Sequence, residues 1–456
     1  MKDPGSFRDP SGYVFYDKDE IYRVIHSSYG SHYDYFKSSG LYTSLLNFDY
    51  VVKHEELDNK TFDIEDCHSL LKVEKIFPIL YPYEWGFNQL KSAALFTLEI
   101  QKKAIEFNMS LKDATPYNIQ FKNNKPIFID TLSFEKLSDD YNWIAYKQFC
   151  ENFLYPLLLM SKIDLRLNKL LITFIDGIPL DLAYNLLDFK SKLNPLVLLN
   201  IVIPKILKNK SKDGSKDGSK RKISKSQHLN LIKHLQYSIE QLNIIKSKTE
   251  WDNYNKETEN EKSEYVVDKI NHVNLYTQKE SYNIIWDIGA NDGFYSRYFK
   301  NKANQIISLD IDLKCVDRNY LINKKEGNSN LTSVLFDISN PSPGIGWLNE
   351  ERSSIFSRIG NPDLILFFAV MHHIINSNIP IEKIIDFLYL KTKKVIFEFI
   401  PFSDPKCKEI FKSRSDEFNY PSLNDFLKLL ESKFLVQESI ELKGTKRVLM
   451  ILTKIS

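Results

Sequence analysis

The second half of the chain alternates short apolar runs with helical patterns, and this alternation most constrains its fold. From Tyr282 onward, runs rich in Ile, Val and Phe read IIWDIG, IISLDI, SVLFDI, DLILFFAV and KVIFEFI. Stretches that follow them, such as IEKIIDFLYL and LNDFLKLLES, carry apolar residues at helical spacing. Repeated strand and helix units predict an α/β domain with a mostly parallel, doubly wound sheet.

The chain ends in FLVQESIELKGTKRVLMILTKI, which contains two strand-like runs joined by a turn at Gly444. This pattern is typical of a β-hairpin, so we expect the last strand of the sheet to be antiparallel. The layout of this half is therefore five strand and helix units followed by a hairpin.

The chain has 456 residues, whereas single hydrophobic cores stop growing near about 250 to 300 residues, so we expect two domains. The segment 208–225 reads KNKSKDGSKDGSKRKISK, with almost no apolar residue and a strong basic excess. It predicts a solvated linker, and the alternative is a basic surface for an acidic polymer or a membrane. We divide the chain into an N-terminal α+β accessory domain (1–207), a basic linker and helix (208–250) and a C-terminal α/β domain (251–456).

The bulk properties exclude several classes of protein. The formal charge of +2 gives no strong signal for binding nucleic acid. The four cysteines form no C-x-x-C pair, which disfavours a zinc site and a disulfide framework. The polar, acidic N-terminus does not resemble a signal peptide, so we expect a cytoplasmic protein.

The longest apolar run extends from Leu196 to Leu207. It is shorter than the roughly 20 residues that span a bilayer, so no transmembrane segment is predicted. We expect a core helix here, and a peripheral membrane contact is the alternative.

The loop after the first strand of the C-terminal domain reads Asp287-Ile-Gly289-Ala-Asn291-Asp-Gly293. In a doubly wound sheet, ligands bind beyond the carboxyl ends of the strands. Glycine at positions 289 and 293 permits unusual backbone angles and leaves space for a ligand. We expect Asp287 to accept hydrogen bonds from a ligand ammonium group, and Asn291 to lie in the same site.

Two further carboxylates follow the next strands. Asp310 ends the second apolar run, where an acidic residue can accept hydrogen bonds from both hydroxyls of a ribose. Asp312 is the competitor for this role, but it lies beyond the predicted strand. Asp337 ends the third run and is the candidate partner of an adenine amine.

A dinucleotide site is the rival interpretation, but it expects G-x-G-x-x-G, and Asp292 would repel a pyrophosphate. From about Ile284 to Ser456 the sequence resembles class I S-adenosylmethionine-dependent methyltransferases, with DIGANDG as the first motif and ISLDID as the acidic one. The resemblance implies a Rossmann-like methyltransferase fold, methyl transfer as the activity and S-adenosylmethionine as the cofactor, with no metal.

The fourth strand leads into Met371-His372-His373 at the rim where a methyl group would be transferred. Methylation of a hydroxyl requires removal of its proton, and histidine titrates near neutrality, so His372 or His373 is the candidate general base. Alternatively, one histidine contacts the cofactor while the other packs, and catalysis depends on positioning of the reactants.

Other polar and aromatic residues occupy predicted substrate loops. Glu398 follows the fifth strand, and Arg414 and Asp416 lie in SRSDEF, where a salt-bridged surface loop explains them equally well. Trp251 and Tyr254 precede the domain, and either close over the site or dock the linker.

Along its whole length the chain is similar to the two-domain family of host-specificity nodulation methyltransferases. The matching stretches are DATPYNIQF, PIFIDTLSF, DGIPLDLA, DIGANDG, NPSPGIGW and MHHI. An Asn-Pro-Pro-Tyr sequence, which marks methylation of amino groups on bases and glutamines in related enzymes, is absent. The resemblance implies a bacterial protein, and these observations favour a small-molecule or glycan hydroxyl as the methyl acceptor.

One motif in the N-terminal domain is unexplained by methyl transfer. Asp113, Asn118 and Asp130 stand at the spacing seen in the catalytic loop of protein and aminoglycoside kinases, which this region resembles. In that family the first Asp accepts a hydroxyl proton, and the Asn and the second Asp hold magnesium. The resemblance implies a kinase-like domain with a vestigial Mg-ATP site. However, Leu111 replaces the usual histidine, and no glycine-rich loop or matching lysine is visible. Arg23 is a candidate replacement for this lysine, and the favoured alternative is a salt-bridged strand residue.

The sequence therefore predicts a methyltransferase with an accessory domain. Two alternatives are a bifunctional kinase and methyltransferase, and a binding scaffold with an inactive methyltransferase fold. The oligomeric state is not predicted.

Overall fold

The computed structural model describes residues 2–212, 222–244, 263–412 and 420–455. Within these ranges the chain forms two compact units. Unit 1 consists of 1–245 together with 343–354, and unit 2 consists of 246–342 together with 355–456. A short segment of the C-terminal half thus belongs to the N-terminal unit. The sequence-based domain bounds stay a prediction.

Unit 1 begins with a four-stranded antiparallel sheet and two helices. The strands are β1 (Gly12–Asp17), β2 (Glu20–Ile25), β3 (His54–Leu57) and β4 (Ser69–Val73), in the order β1-β2-β4-β3. The helices α1 (Ser27–Ser38) and α2 (Leu41–Asn47) lie between β2 and β3 in the chain.

The centre of unit 1 is a long helix followed by two small strand pairs. Helix α3 (Phe87–Glu106) leads into β5 (Met109–Leu111), β6 (Ile119–Lys122), β7 (Lys125–Phe128) and β8 (Phe134–Lys136). Strand β5 pairs with β8, and β6 and β7 form a hairpin. The rings of Phe36 and Phe134 stack at a centroid distance of 4.7 Å in the core beneath these strands.

The rest of unit 1 is helical. Its elements are α4 (Tyr146–Phe149), a π-helical turn (Cys150–Leu154), α5 (Tyr155–Lys162), α6 (Leu170–Thr173), α7 (Leu180–Leu186), α8 (Phe189–Lys192), α9 (Pro195–Val197), a second π-helical turn (Leu198–Val202), α10 (Ile203–Lys212) and α11 (Lys225–Glu240). Helix α11, which we assigned to the connecting segment, packs against α3.

The expectation that Leu196 to Leu207 forms a core helix was wrong. The run is helical, but only one face is buried, with Val197, Asn200 and Ile201 pointing inward. Most of its other aliphatic side chains are exposed or half-buried because no described element covers them. The repetitive KDGS stretch falls mainly on 213–221, outside the described residues.

Unit 2 contains a seven-stranded sheet. Its strands are β9 (Tyr282–Ile288), β10 (Ala303–Asp310), β11 (Leu331–Leu335), β12 (Leu364–Phe367), β13 (Lys394–Phe399), β14 (Phe434–Glu441) and β15 (Val448–Lys454). The order is β11-β10-β9-β12-β13-β15-β14, and the first five strands are parallel. Strand β15 pairs antiparallel with both β13 and β14. The predicted parallel sheet with a closing hairpin is confirmed, and the antiparallel strand is the last in the chain.

The helices of unit 2 connect these strands. They are α12 (Glu264–Thr277), α13 (Phe294–Tyr298), α14 (Leu313–Glu326), α15 (Ile355–Arg358), α16 (Met371–Asn376), α17 (Ile381–Lys391), α18 (Pro405–Ile410) and α19 (Leu423–Leu430). Apolar residues of the strands, including Ile285, Leu366 and Ile396, form the buried core. The strand order reverses beside β9, and ligands of doubly wound sheets bind at such a switch point.

Candidate active site

A cavity of about 540 Å³ lies at the carboxyl ends of the parallel strands of unit 2. The loops after β9, β10, β11 and β12 contribute most of its wall, and α12, α16 and the β14–β15 turn supply further residues. The predicted residues that line it are Asp287, Gly289, Asn291, Asp310, Asp337 and His373. The fold therefore brings together residues that are up to 86 positions apart in the chain (373 minus 287).

Gly289 begins the loop after β9 with a backbone φ of +74°. Its N–H donates to the carbonyl oxygen of Leu309 at 2.8 Å, which fixes the loop to the neighbouring strand. A Cβ atom at this position would come within 2.3 Å of the Val370 side chain, so a larger residue would disturb the cavity wall.

Gly293 is required for a different reason from the one predicted. Its φ is +80°, and a Cβ atom would lie 2.2 Å from Oδ1 of the Asn319 side chain on α14. Gly293 is not among the residues that line the cavity. The glycine therefore permits close packing of the loop on α14 rather than leaving space for a ligand.

Asp287 is buried in β9 at the bottom of the cavity. Its Oδ2 accepts a hydrogen bond from the Ser296 hydroxyl at 2.6 Å, and Ser308 donates to the same hydroxyl at 2.7 Å. Burial raises the pKa of Asp287 to about 6, and the Ser296 hydrogen bond opposes this shift. The carboxylate is thus oriented by neutral hydroxyl groups.

Asp310 is the last residue of β10, as predicted. Its two oxygens accept hydrogen bonds from the backbone N–H of Asn291 at 2.7 Å and of Asp312 at 2.8 Å. Burial raises its pKa to about 6, although these N–H groups stabilise the charged form. Asp312 instead caps α14, where it accepts from the N–H of Lys314 at 2.7 Å. The geometry favours Asp310 over Asp312 as the carboxylate that faces a ligand.

Asn291 and Asp337 complete the predicted set. Asn291 has a φ of +52°, and its backbone N–H connects the glycine loop to Asp310. Asp337 lies in the loop after β11 and accepts a hydrogen bond from the N–H of Ser339 at 2.9 Å. Phe336 and Ile338 line the cavity on either side of it, so this part of the wall combines apolar surface with one carboxylate.

The two histidines on α16 have different environments. His373 lines the cavity, and burial lowers its pKa to about 4. His372 is fully buried and is not among the lining residues, and burial lowers its pKa to about 2. Among the described residues, neither ring nitrogen of His372 has a hydrogen-bond partner. Only His373 is placed to meet a substrate.

A buried ionic network forms one wall of the cavity, and the sequence analysis did not find most of it. Lys269 on α12 pairs with Glu398 of β13 at 2.6 Å, and both side chains are almost fully buried. The Tyr265 hydroxyl bonds to Glu398, Lys269 and Arg447, and the Arg447 guanidinium also pairs with Asp404 at 2.8 Å. Tyr265, Lys269 and Arg447 line the cavity.

The expectation that Glu398 lies in a substrate loop or a salt-bridged surface loop was wrong, because it lies within a buried strand. The sequence signal for its partner is the spacing of Tyr265 and Lys269, four residues apart on one face of a helix. Trp251, Tyr254, Arg414 and Asp416 lie outside the described residues.

The residues of the kinase-like motif, Asp113, Asn118 and Asp130, also lie close together in unit 1. The Asn118 side chain bonds to the Asp113 carboxylate and donates to the Ser133 hydroxyl at 3.0 Å, and Ser133 in turn donates to Asp130. Burial raises the pKa of Asp113 above its usual range. Arg23 of β2 forms an ion pair with Asp130 and donates to the Ile129 carbonyl at 3.3 Å. Burial lowers the pKa of Arg23 to about 10, so it remains a cation at neutral pH.

The described residues contain no group of three or more His, Cys, Asp or Glu side chains that could hold a metal ion. No helix in the described ranges is both long and apolar enough to cross a membrane.

Comparison with known proteins identifies a relative that extends over both units. No family model matches the chain. Nodulation protein NoeA of Rhizobium meliloti strain 1021 is 29% identical over 457 residues, which covers 98% of this chain and 94% of that protein.

Solved structures resemble part of the chain. N-methyltransferase NodS from Bradyrhizobium japonicum WM9 covers 43% of this chain and 99% of its own, with 12% identity and a TM-score of 0.33. A SAM-dependent methyltransferase from Aquifex aeolicus covers 46% and 100%, with 17% identity and a TM-score of 0.32. The bifunctional kinase-methyltransferase WbdD covers 46% and 42%, with 15% identity and a TM-score of 0.29.

The strand order of unit 2 establishes its fold. Five parallel strands that reverse beside β9, followed by a hairpin whose last strand is inserted next to β13, form the arrangement expected from the sequence. The chain thus resembles class I S-adenosylmethionine-dependent methyltransferases in unit 2 and a rhizobial nodulation protein along nearly its whole length.

Proposed function

We propose that this chain transfers the methyl group of S-adenosylmethionine to a hydroxyl group of a small molecule or glycan. The observation that carries the proposal is the cavity at the switch point of unit 2, with Asp287 and Asp310 at the ends of adjacent strands. A ligand that bears both an ammonium group and a ribose matches this pair of carboxylates.

The cavity residues fit the methyl donor. Asp287 would accept from its ammonium group, Asp310 from its ribose hydroxyls and Asp337 from its adenine amine. The apolar wall at Phe336 and Ile338 suits the adenine ring. Gly289 keeps the loop close to Val370 without a side chain between them, as a donor lying across this loop requires. The donor supplies an electrophilic methyl group on a sulfonium, and the chain must orient the acceptor towards it.

His373 is the residue that we assign to the acceptor. It lines the cavity, and at neutral pH its low pKa keeps the imidazole uncharged, so it can accept a hydrogen bond from a hydroxyl. A pKa of about 4 makes it a weak base, and we therefore expect positioning to contribute more than proton removal. His372 packs behind it and supports α16.

The acceptor class can be identified with labelled donor. The full chain is incubated with methyl-labelled S-adenosylmethionine and fractionated bacterial extract, and Asp310→Ala serves as the inactive control. We expect label in the small-molecule or glycan fraction, in a linkage that resists mild base. Label in protein or nucleic acid would contradict the acceptor, and donor binding without any transfer would favour a scaffold.

A matched histidine pair tests the role of His373. His373→Ala should lower kcat by about 10- to 100-fold and leave the dissociation constant of S-adenosylhomocysteine unchanged. His373→Gln, which retains a hydrogen-bond acceptor, should recover part of this loss. Equal effects of the two variants on kcat would show that the side chain does not position the acceptor.

The bifunctional alternative rests on one observation in unit 1. Asp113 bonds to Asn118, and Asn118 is connected to Asp130 through Ser133, so the three residues that a kinase-type nucleotide and magnesium site uses lie together. However, Arg23 already neutralises Asp130. We therefore propose that unit 1 is an accessory domain whose kinase-like site is vestigial.

The proposed compartment is the bacterial cytoplasm. All four cysteines are free thiols, which is compatible with a reducing environment.

A further inference from the structure

An exposed aliphatic surface occurs in unit 1 at the helical stretch that begins at Phe189. We call it the 189–207 face, and its exposed apolar residues are Phe189, Leu193, Leu198, Leu199, Ile203, Ile206 and Leu207. Phe189 is 78% exposed and Leu207 is 60% exposed. Globular chains rarely present so many adjacent large apolar side chains to water without a partner.

The opposite side of the helical stretch from Pro195 to Lys212 is firmly packed. Val197 and Ile201 are fully buried. Asn200 donates to the Ser238 hydroxyl of α11 at 3.3 Å, and its Oδ1 lies 3.2 Å from Nε2 of His234. The inner side therefore already has its packing and hydrogen-bond partners within unit 1. The exposed residues lie on the outer side of this amphipathic stretch.

The chain is strongly basic along the 189–207 face, although Asp188 directly precedes it. From Phe189 to Lys212 the sequence contains six lysines and no Asp or Glu. Lys190, Lys192, Lys205 and Lys208 flank the aliphatic residues in the chain. Lys208 lies 3.8 Å from the exposed Asp181, a weak solvent-exposed pair that leaves the basic excess in place.

We propose that the 189–207 face docks this protein on an anionic phospholipid membrane surface. Leu, Ile and Phe side chains enter the boundary between headgroups and acyl chains, and the lysines bind lipid phosphates. Each lysine near such a surface adds to the attraction, and the buried apolar area strengthens it further.

The same features disfavour the other occupants of this surface. Two copies placed face to face would bring lysines against lysines, and like charges oppose such an interface. Of the residues enriched at protein interfaces, which are Trp, Tyr, Phe, Met and Arg, the face contains only Phe189.

The experiment is co-sedimentation of the full chain with vesicles. Vesicles of equimolar phosphatidylcholine and phosphatidylglycerol are compared with vesicles of phosphatidylcholine alone. We expect binding to the anionic vesicles, weakened at high salt, and at least about tenfold weaker binding by the triple variant Leu199→Ser, Ile203→Ser, Ile206→Ser.

The matched control replaces exposed aliphatic residues of unit 2, Leu275→Ser, Leu390→Ser and Leu435→Ser. This variant should bind the vesicles like wild type, and thermal unfolding should show both triple variants folded. A lysine variant, Lys190→Glu with Lys205→Glu, should lose binding to anionic vesicles.

Three results would overturn the proposal. One is wild type that does not bind anionic vesicles at low salt. Another is a triple variant of the 189–207 face that binds like wild type. The last is a wild-type dimer in solution that this triple variant converts to a monomer while vesicle binding is absent, which would identify a second copy as the occupant.

Discussion

Asp310 ends a β-strand in unit 2 and Asp130 follows one in unit 1, and each lies among residues that the sequence predicts to bind a nucleotide. Asp310 accepts its hydrogen bonds from two backbone N–H groups. Asp130 is ion-paired with the Arg23 guanidinium. In unit 2 the negative charge is oriented by neutral donors, whereas in unit 1 a cation of the protein already balances it.

Among the described residues, the negative charge of Asp310 is not balanced by a cation of the protein and suits a ligand, whereas the charge of Asp130 is already balanced by Arg23. Burial raises the pKa of Asp310 because removing its charge from water costs more free energy than the hydrogen bonds from the two N–H groups recover. A ligand with hydroxyl donors would lower that cost. At Asp130 a ligand or metal ion would first have to displace Arg23, and separation of a buried ion pair is expensive.

Asp310→Ala should produce the largest effect. It removes a charged acceptor of two ribose hydrogen bonds, worth together about 4 kcal/mol, so the dissociation constant of S-adenosylmethionine should rise about 1000-fold. Calorimetry measures the change. Asp312→Ala is the control, because loss of a helix cap should cost about 1 kcal/mol of stability and change donor affinity only a few-fold. Similar losses of affinity in both variants would contradict the assignment.

Arg23→Gln should be the next largest effect. It leaves Asp130 buried without its cation, so the free energy of unfolding of unit 1 should fall by about 3 kcal/mol. Urea denaturation measures this change, and the double variant Arg23→Gln, Asp130→Asn should recover part of it.

Binding of ATP and magnesium tests the same difference between the two sites. Because Arg23 is ion-paired with Asp130, wild type should show no magnesium-dependent thermal stabilisation by ATP. A stabilisation that Asp130→Ala abolishes would restore the bifunctional hypothesis.

A pH series should reveal the smallest effect. The pKa of Asp287 is raised from 3.8 to about 6, so in the folded state it is protonated between these values while the unfolded chain is ionised. The stability of the ligand-free protein should therefore decrease as pH rises from about 4 to 6 and level off above that. An ammonium ligand needs the ionised carboxylate, so its affinity should change in the opposite direction.

Calorimetry with S-adenosylhomocysteine at pH 5 and pH 7.5 measures this affinity. We expect about tenfold weaker binding at pH 5 and a smaller pH dependence in Asp287→Asn. Equal pH dependence in the variant would mean that Asp287 does not contact the ammonium group.

The sheet of unit 2 could be predicted because its signals are local. Each of β9 to β13 is rich in Ile, Leu, Val or Phe, and a buried parallel strand produces this pattern directly. Asp287 and Asp310 were located by their positions at strand ends. These features depend on neighbours in the chain and not on distant contacts.

The remaining features of the site depend on contacts between distant residues. The reason for Gly293 is a side chain on α14, and the partner of Glu398 is 129 positions away on α12. His372 and His373 are equivalent in the sequence, but successive helical residues point about 100° apart, so only one faces the cavity. The buried and exposed faces of the run from Leu196 to Leu207 could not be distinguished in the sequence because nearly all of its residues are apolar.

The segment 343–354 has a consequence for synthesis on the ribosome. Its Glu351 is buried in unit 1 and pairs with Arg8 at 2.7 Å, while Arg352 lies over the Tyr117 ring at 4.5 Å. Glu351 and Arg352 leave the ribosome only after the stretch from Lys246 to Ser342 has been made. The N-terminal unit therefore remains incomplete while β9, β10 and β11 of unit 2 are translated. A domain exchange with a single junction between the two units would leave unit 1 without 343–354.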